Sequence, residues 1–290
     1  MKKVLAIICL MLMMYSAPGF ADELGDALGS MATERVRTSA RQMVNAGIET
    51  DEVLKMTRLM VQSRFSEQVM LQAHEIVLQT HNVGLPVVPV MNKAYEGMAK
   101  QVRAEDIMRA MATIRHRYAY AYRNTEEFTQ EKARLRRMGT VIAEGLAAGM
   151  EEKDTDAILD RLRDRTRDMQ RDQACELATE SFTAARDMAR LGVTSEDAGN
   201  VVTAALQRRY SAVEMRQMRN SFVHQSRITA PHSLAAMFSA QIGKGAGGAS
   251  LGATDAGDGT GGEGGKSGGS ASPGGGSGNG GGAGSGGGRN

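Results

Sequence analysis

GLPVVPVMNKAYEGMAKQVRAEDI, residues Gly84 to Ile107, is the stretch whose reading decides the fold. It looks like a binding loop, with its paired prolines and alternating charges, yet its spacing is that of a joint between helices. Gly84 stands where a helix would end, because glycine enters the left-handed conformation at no steric cost. Pro86 and Pro89 fall where the next helix begins, where a missing N–H matters little. Val90, Ala94, Met98 and Val102 then recur along one face, and Ile107, Met111, Ile114 and Tyr118 continue as the buried stripe of a second helix. Lys93, Tyr95, Glu96 and Lys100 are left over from these stripes as candidates for contact with a partner.

Working outward, the same grammar repeats. Gly47, Gly149 and Gly192 also close periodic segments, each followed by an apolar residue and then cap-like residues, as in Thr50-Asp51-Glu52 and Ser195-Glu196-Asp197. Aligned on Gly47, Gly84 and Gly192, the columns Val53/Val90/Ala198, Phe65/Val102/Tyr210 and Met70/Ile107/Met215 fall into register. With three residues inserted, the Gly149 copy adds Ile158 and Cys175 to the first and last columns. The chain between the ends is rich in Ala, Met, Leu, Arg, Glu and Gln, and carries no strand signal. The expectation is an all-α fold of two tandem units of about 100 residues, 31–124 and 125–242. Each is a leading helix followed by two helical hairpins, resembling an α-solenoid, and the second has a closing helix.

The two ends differ from this body. Lys2 and Lys3 precede the apolar run Val4–Tyr15, and Gly19 and Ala21 are small residues placed for cleavage, so 1–21 reads as a secretory signal and 22–30 as a short leader. The run is too short to span a bilayer, so no stable membrane anchor is expected after cleavage. The expected address is the periplasm of a bacterium, with the medium as the alternative. From Gly243 to Asn290 half of the residues are glycine, and almost nothing apolar is available to offset the entropy of ordering, so this tail is expected to be disordered. TGGEGGKS within it imitates a phosphate loop but has Thr260 where the first glycine is needed, and lacks a flanking strand and helix.

Charge excludes one class of partner. Loss of Lys2 and Lys3 reduces 35 basic residues to 33, against 33 acidic ones, and a formally neutral chain offers little to a phosphate backbone. Arg115 to Arg123, RHRYAYAYR, mixes basic and aromatic residues, but helical spacing puts Tyr118 and Tyr122 on one face and Tyr120 on the opposite, solvent side. Only Cys175 survives processing, so no intrachain disulfide forms, and its column with Met70 and Ile107 marks a buried thiol.

For soft metals the candidates are the thioether pairs Met108/Met111 and Met215/Met218 and the histidines His74 and His81 of HEIVLQTH. The histidines are seven apart, not the four of a zinc protease helix, and methionine at these columns is first a core residue. Asp160/Arg163 and Asp164/Arg167 within DRLRDRTRDMQRD are spaced for pairing on a solvated helix.

The segment GLPVVPVMNKAYEGMAK resembles a pattern, Gly-Leu-Pro followed by a lysine and then Glu-Gly-x-Ala-Lys, of uncharacterised exported bacterial helical proteins. The resemblance spans about 25 residues; it implies helical hairpins and carries over no activity. Taken together, the sequence predicts a non-catalytic exported module that binds proteins or peptides of the cell envelope, with no cofactor and no nucleic acid. The alternative is a copper-binding protein or carrier built on the Met and His residues.

Overall fold

A computed structural model describes residues 28–251. The signal-like segment 1–21, most of the leader and the glycine-rich stretch beyond Leu251 lie outside the described residues. A 3-10 turn at Gly29–Met31 precedes eleven α-helices, with no strand among the described residues. They are α1 (Glu34–Asn45), α2 (Thr50–Gln62), α3 (Glu67–Asn82), α4 (Val88–Ala99), α5 (Ala104–Thr125), α6 (Lys132–Ala147), α7 (Glu152–Thr166), α8 (Arg171–Arg190), α9 (Ser195–Gln207), α10 (Ala212–Gln225) and α11 (Pro231–Gly243).

Eight of these helices stop in the same way. The residue after the cap turns to positive φ, and the next N–H reaches back to close the last turn, as Leu85 does to the Thr80 carbonyl at 3.1 Å. Gly47, Gly84, Gly149, Gly192 and Gly245 hold five of these positions, so the four glycine stops read from sequence stand where expected. Arg64, Gln101 and Arg209 hold the other three, at φ of 58°, 55° and 60°. Gln101 corrects the expected stripe: α4 ends at Ala99, the chain turns off its axis, and Val102 is 40 % exposed instead of continuing the face of Met98. Helix starts use Thr33, Ser66, Thr194 and Ser211 as caps, the last in a reciprocal box with Glu214. The expected caps Thr50 and Ser195 are instead first residues of their helices, and the Ser195 hydroxyl donates to Asp154 of α7 at 2.5 Å.

The helices pack in rows. α1, α3, α5, α6, α8 and α10 lie side by side in that order; α2 packs on α4, and α7, α9 and α11 follow one another. Within a row, helices two apart in sequence run parallel, as their cross-links show: Arg35 to Glu67 at the starts of α1 and α3, Glu144 to Arg190 at the ends of α6 and α8. The exception is α5 and α6, neighbours both in sequence and in the row, which a short turn makes antiparallel. They approach closely: a Cβ on Gly139 would stand 2.5 Å from the Tyr122 ring, and one on Gly97 of α4 2.5 Å from Ile107 of α5.

α5 is therefore shared. Its Ile107, Met108 and Met111 join the buried cluster of α1 to α4, its Tyr118, Tyr120 and Tyr122 join that of α6 to α11, and Ile114 touches both. Ile107 and Tyr120 are separated by roughly 140° around the helix, so α4 and α7 meet α5 from different sides. That corrects the expectation of a solvent-facing Tyr120, which is 6 % exposed and donates to Asp156 of α7 at 2.5 Å.

Packing also continues past Gly243, where the tail was expected to begin. Residues 244–251 run back along α10. Tyr210 donates to the Ala246 carbonyl, Gln225 to that of Leu251 at 3.2 Å, and the Leu251 side chain is buried. Gly248 presses against the Glu214 backbone, leaving no room for a Cβ.

Candidate functional site

α8 is the most enclosed helix among α6 to α11, and its sequence explains why. Ala178, Ser181, Ala184 and Ala185 are small enough to let α6, α7, α9 and α10 close on it, and all are 0–1 % exposed. The remaining side of α8 carries Cys175, Thr179, Glu180 and Thr183, which are 4–8 % exposed, between the projecting side chains of α6 and α10. A cleft of about 310 Å³ lies over Cys175, Thr179 and Glu180, walled by Arg134 and Arg137 of α6 and Arg216 of α10. A second, separate hollow of about 390 Å³ lies farther along α8, where Asp187 meets Arg219, Val223 and Arg227 of the α10 side. Thr179 and Thr183 donate their hydroxyls to carbonyls one turn back, and Thr179 lines the cleft.

The electrostatics of this groove are a ladder of ion pairs between helices. Asp172 pairs with Arg134, Glu176 with Arg216 at 3.1 Å, and Glu144 with Arg186 and Arg190, both at 2.9 Å. Asp187 pairs with Arg186 at 2.8 Å. Most of these groups are solvated, so each pair contributes little. Glu180 differs, because its side chain is 6 % exposed. Its Oε1 accepts from Arg216, whose charge it stabilises, while its Oε2 faces Arg219 at 3.4 Å without hydrogen-bond geometry. Burial pushes the Cys175 thiol up, so the groove holds an unreactive cysteine at neutral pH.

The candidates named from sequence lie elsewhere. Glu96 of α4 is gripped by Lys93 at 2.8 Å and Lys100 at 2.5 Å on the exposed face, and Lys100 first, then Lys93, holds its carboxyl down to about 2. Tyr95 is half-buried, donates to Glu52 of α2 at 2.9 Å and lies under the Lys55 ammonium; burial and then Glu52 raise its pKa. Lys93, Glu96 and Lys100 form one surface cluster, Tyr95 turns to α2, and none of the four lines the α8 groove.

Met108 and Met111 are buried in the first cluster and Met215 and Met218 in the second, so the two thioether pairs do not come together. His74 is fully buried among three helices and His81 only partly, beside Gly47. Thr57 spends its hydroxyl proton on the Val53 carbonyl, so it must accept from Nε2–H of His74 at 3.1 Å; Ser39 then donates to Nδ1 at 3.2 Å. Burial alone lowers the His74 pKa to about 4. No group of three or more His, Cys, Asp and Glu suited to a metal ion occurs among the described residues. No helix among them is long and apolar enough to cross a membrane.

Sequence reasoning missed Arg134, Arg137, Glu180 and Arg216. Each looks like an ordinary charge on a solvated helix face, and the partners that give the groove its form are some 40 residues away in the chain. Comparison with protein families, with curated proteins and with solved structures found no match.

Proposed function

We propose that this is an exported, non-catalytic helical-repeat protein whose groove along α8 holds protein or peptide segments in the cell envelope. The observation that carries the reading is that α8 is buried even on its groove side, between arginine walls supplied by α6 and α10. A buried floor between charged walls suits a peptide, whose affinity depends on a preorganised surface. Export rests on the pattern of residues 1–21, and the formal neutrality of the rest of the chain argues against a nucleic-acid partner.

We further infer that the body consists of two units, 31–124 and 125–242, in which α6 to α10 follow the plan of α1 to α5 and α11 closes the row. Left-handed stops after α1 and α6, α3 and α8, and α4 and α9 support this correspondence, as do the two buried clusters that share α5.

The test is a selection of peptides from a random displayed library on the full chain. Peptides are expected that lose about tenfold in affinity when Gln173, an exposed residue at the cleft, is changed by Gln173→Trp to fill it. Peptides indifferent to Gln173→Trp but lost on Lys93→Glu/Lys100→Glu would move the contact surface to α4 and overturn the groove assignment.

A further inference from the structure

Resting on the groove reading, the charge pattern says what kind of peptide fits. Every carboxylate along the groove (Asp172, Glu176, Glu180, Glu144 and Asp187) already has an arginine partner. Arg137, at the cleft over the first half of α8, and Arg227, at the hollow beside Asp187, have no carboxylate partner among the described residues. The unmatched charge in the groove is thus cationic and sits toward its two ends, although the lining as a whole mixes both signs.

We propose that the α8 groove binds an acidic peptide segment lying along α8, with one carboxylate at Arg137 and another at Arg227. Arg137 shares the cleft with Glu176 and Arg227 shares the hollow with Asp187, and these two acids are eleven residues apart on α8. That separation is roughly 16 Å at 1.5 Å per residue, or about five residues of extended chain. Arginine suits the task, because its guanidinium forms paired hydrogen bonds to a carboxylate in a fixed plane. Thr179, which lines the cleft and spends its hydroxyl proton on the Cys175 carbonyl, keeps lone pairs that can accept from a backbone N–H of such a chain.

The same library selection tests this, with a fluorescent oligoglutamate peptide and an oligolysine peptide as direct probes of the full chain. Groove-dependent peptides enriched in acidic residues about five apart are expected. Oligoglutamate should bind, weaken as salt rises, and lose about tenfold or more with Arg137→Glu/Arg227→Glu, two exposed positions whose reversal leaves the core untouched. Oligolysine should not bind. Groove-dependent peptides without acidic enrichment, or oligoglutamate binding indifferent to the double reversal, would overturn the acidic assignment while leaving a peptide groove in place. A selection that yields no groove-dependent peptide would overturn both readings.

Discussion

His74 of α3 and Glu180 of α8 occupy comparable places, each on a helix flanked by two parallel neighbours and each buried, yet the two halves of the molecule treat the polar group differently. His74 is neutral, with one tautomer fixed by Thr57 and Ser39 on two other helices. Glu180 pairs with two arginines that keep contact with water. An apolar interior accepts a polar group only when hydrogen bonds are complete and charge is absent, whereas a groove accepts charge because its partners remain partly solvated. The first half should therefore respond to acid and the second to removal of a carboxylate.

The largest effect expected is on acidification. His74 titrates at about 4 in the fold against an ordinary 6.5, so the unfolded chain takes up the proton first as pH falls. Its contribution is full above pH 6.5 and is lost down to about pH 4, a change of about 3 kcal/mol. Denaturant titrations from pH 7 to pH 4 should show this loss, and His74→Gln should flatten it; an equally steep profile in that variant would break the comparison. Glu180→Gln should cost about 1–2 kcal/mol at pH 7, less than a fully buried pair because Arg216 is 42 % exposed.

The glycine contacts on either side of α5 sharpen the contrast. Gly139→Ala would drive a methyl into the flat edge of Tyr122, and Gly97→Ala would meet the branched but rotatable Ile107. Both should destabilise, by about 2–3 and about 1–2 kcal/mol in thermal melts, with Gly139 the costlier because a ring cannot turn aside. The smallest effects lie at the three strained stops. Arg64→Gly, Gln101→Gly and Arg209→Gly should each stabilise by about 0.5–1 kcal/mol, since relief of the left-handed strain outweighs the added freedom of the unfolded chain. A loss of stability at any of them would mean that its side chain makes a contact outweighing that relief.

Much of the fold was legible because its signals are local. Gly84 needs only its own missing Cβ to announce a stop, and Val90, Ala94 and Met98 need only the period of the helix to announce a buried face. Arg64, Gln101 and Arg209 were illegible as stops because nothing in an arginine or glutamine favours positive φ; the closing hydrogen bonds and the packing around them impose it. Tyr120 was misread because one helix was taken to have one buried side. The candidate site was less legible still. Lys93, Glu96 and Lys100 drew attention as polar residues within about two turns of one helix, while Arg134, Glu180 and Arg216 are brought together only when three helices pack in a row.

The sequence by itself determined that this chain is helical, where four of its helices end, and which faces mostly turn inward, because those properties follow from backbone preference and from periodicity within a few turns. The tertiary structure alone decided that α5 serves two cores, that the body reaches Leu251, and that α8 forms the floor of a charged groove. Those outcomes depend on contacts between residues far apart in the chain, and such contacts leave no mark on the local spacing of either partner.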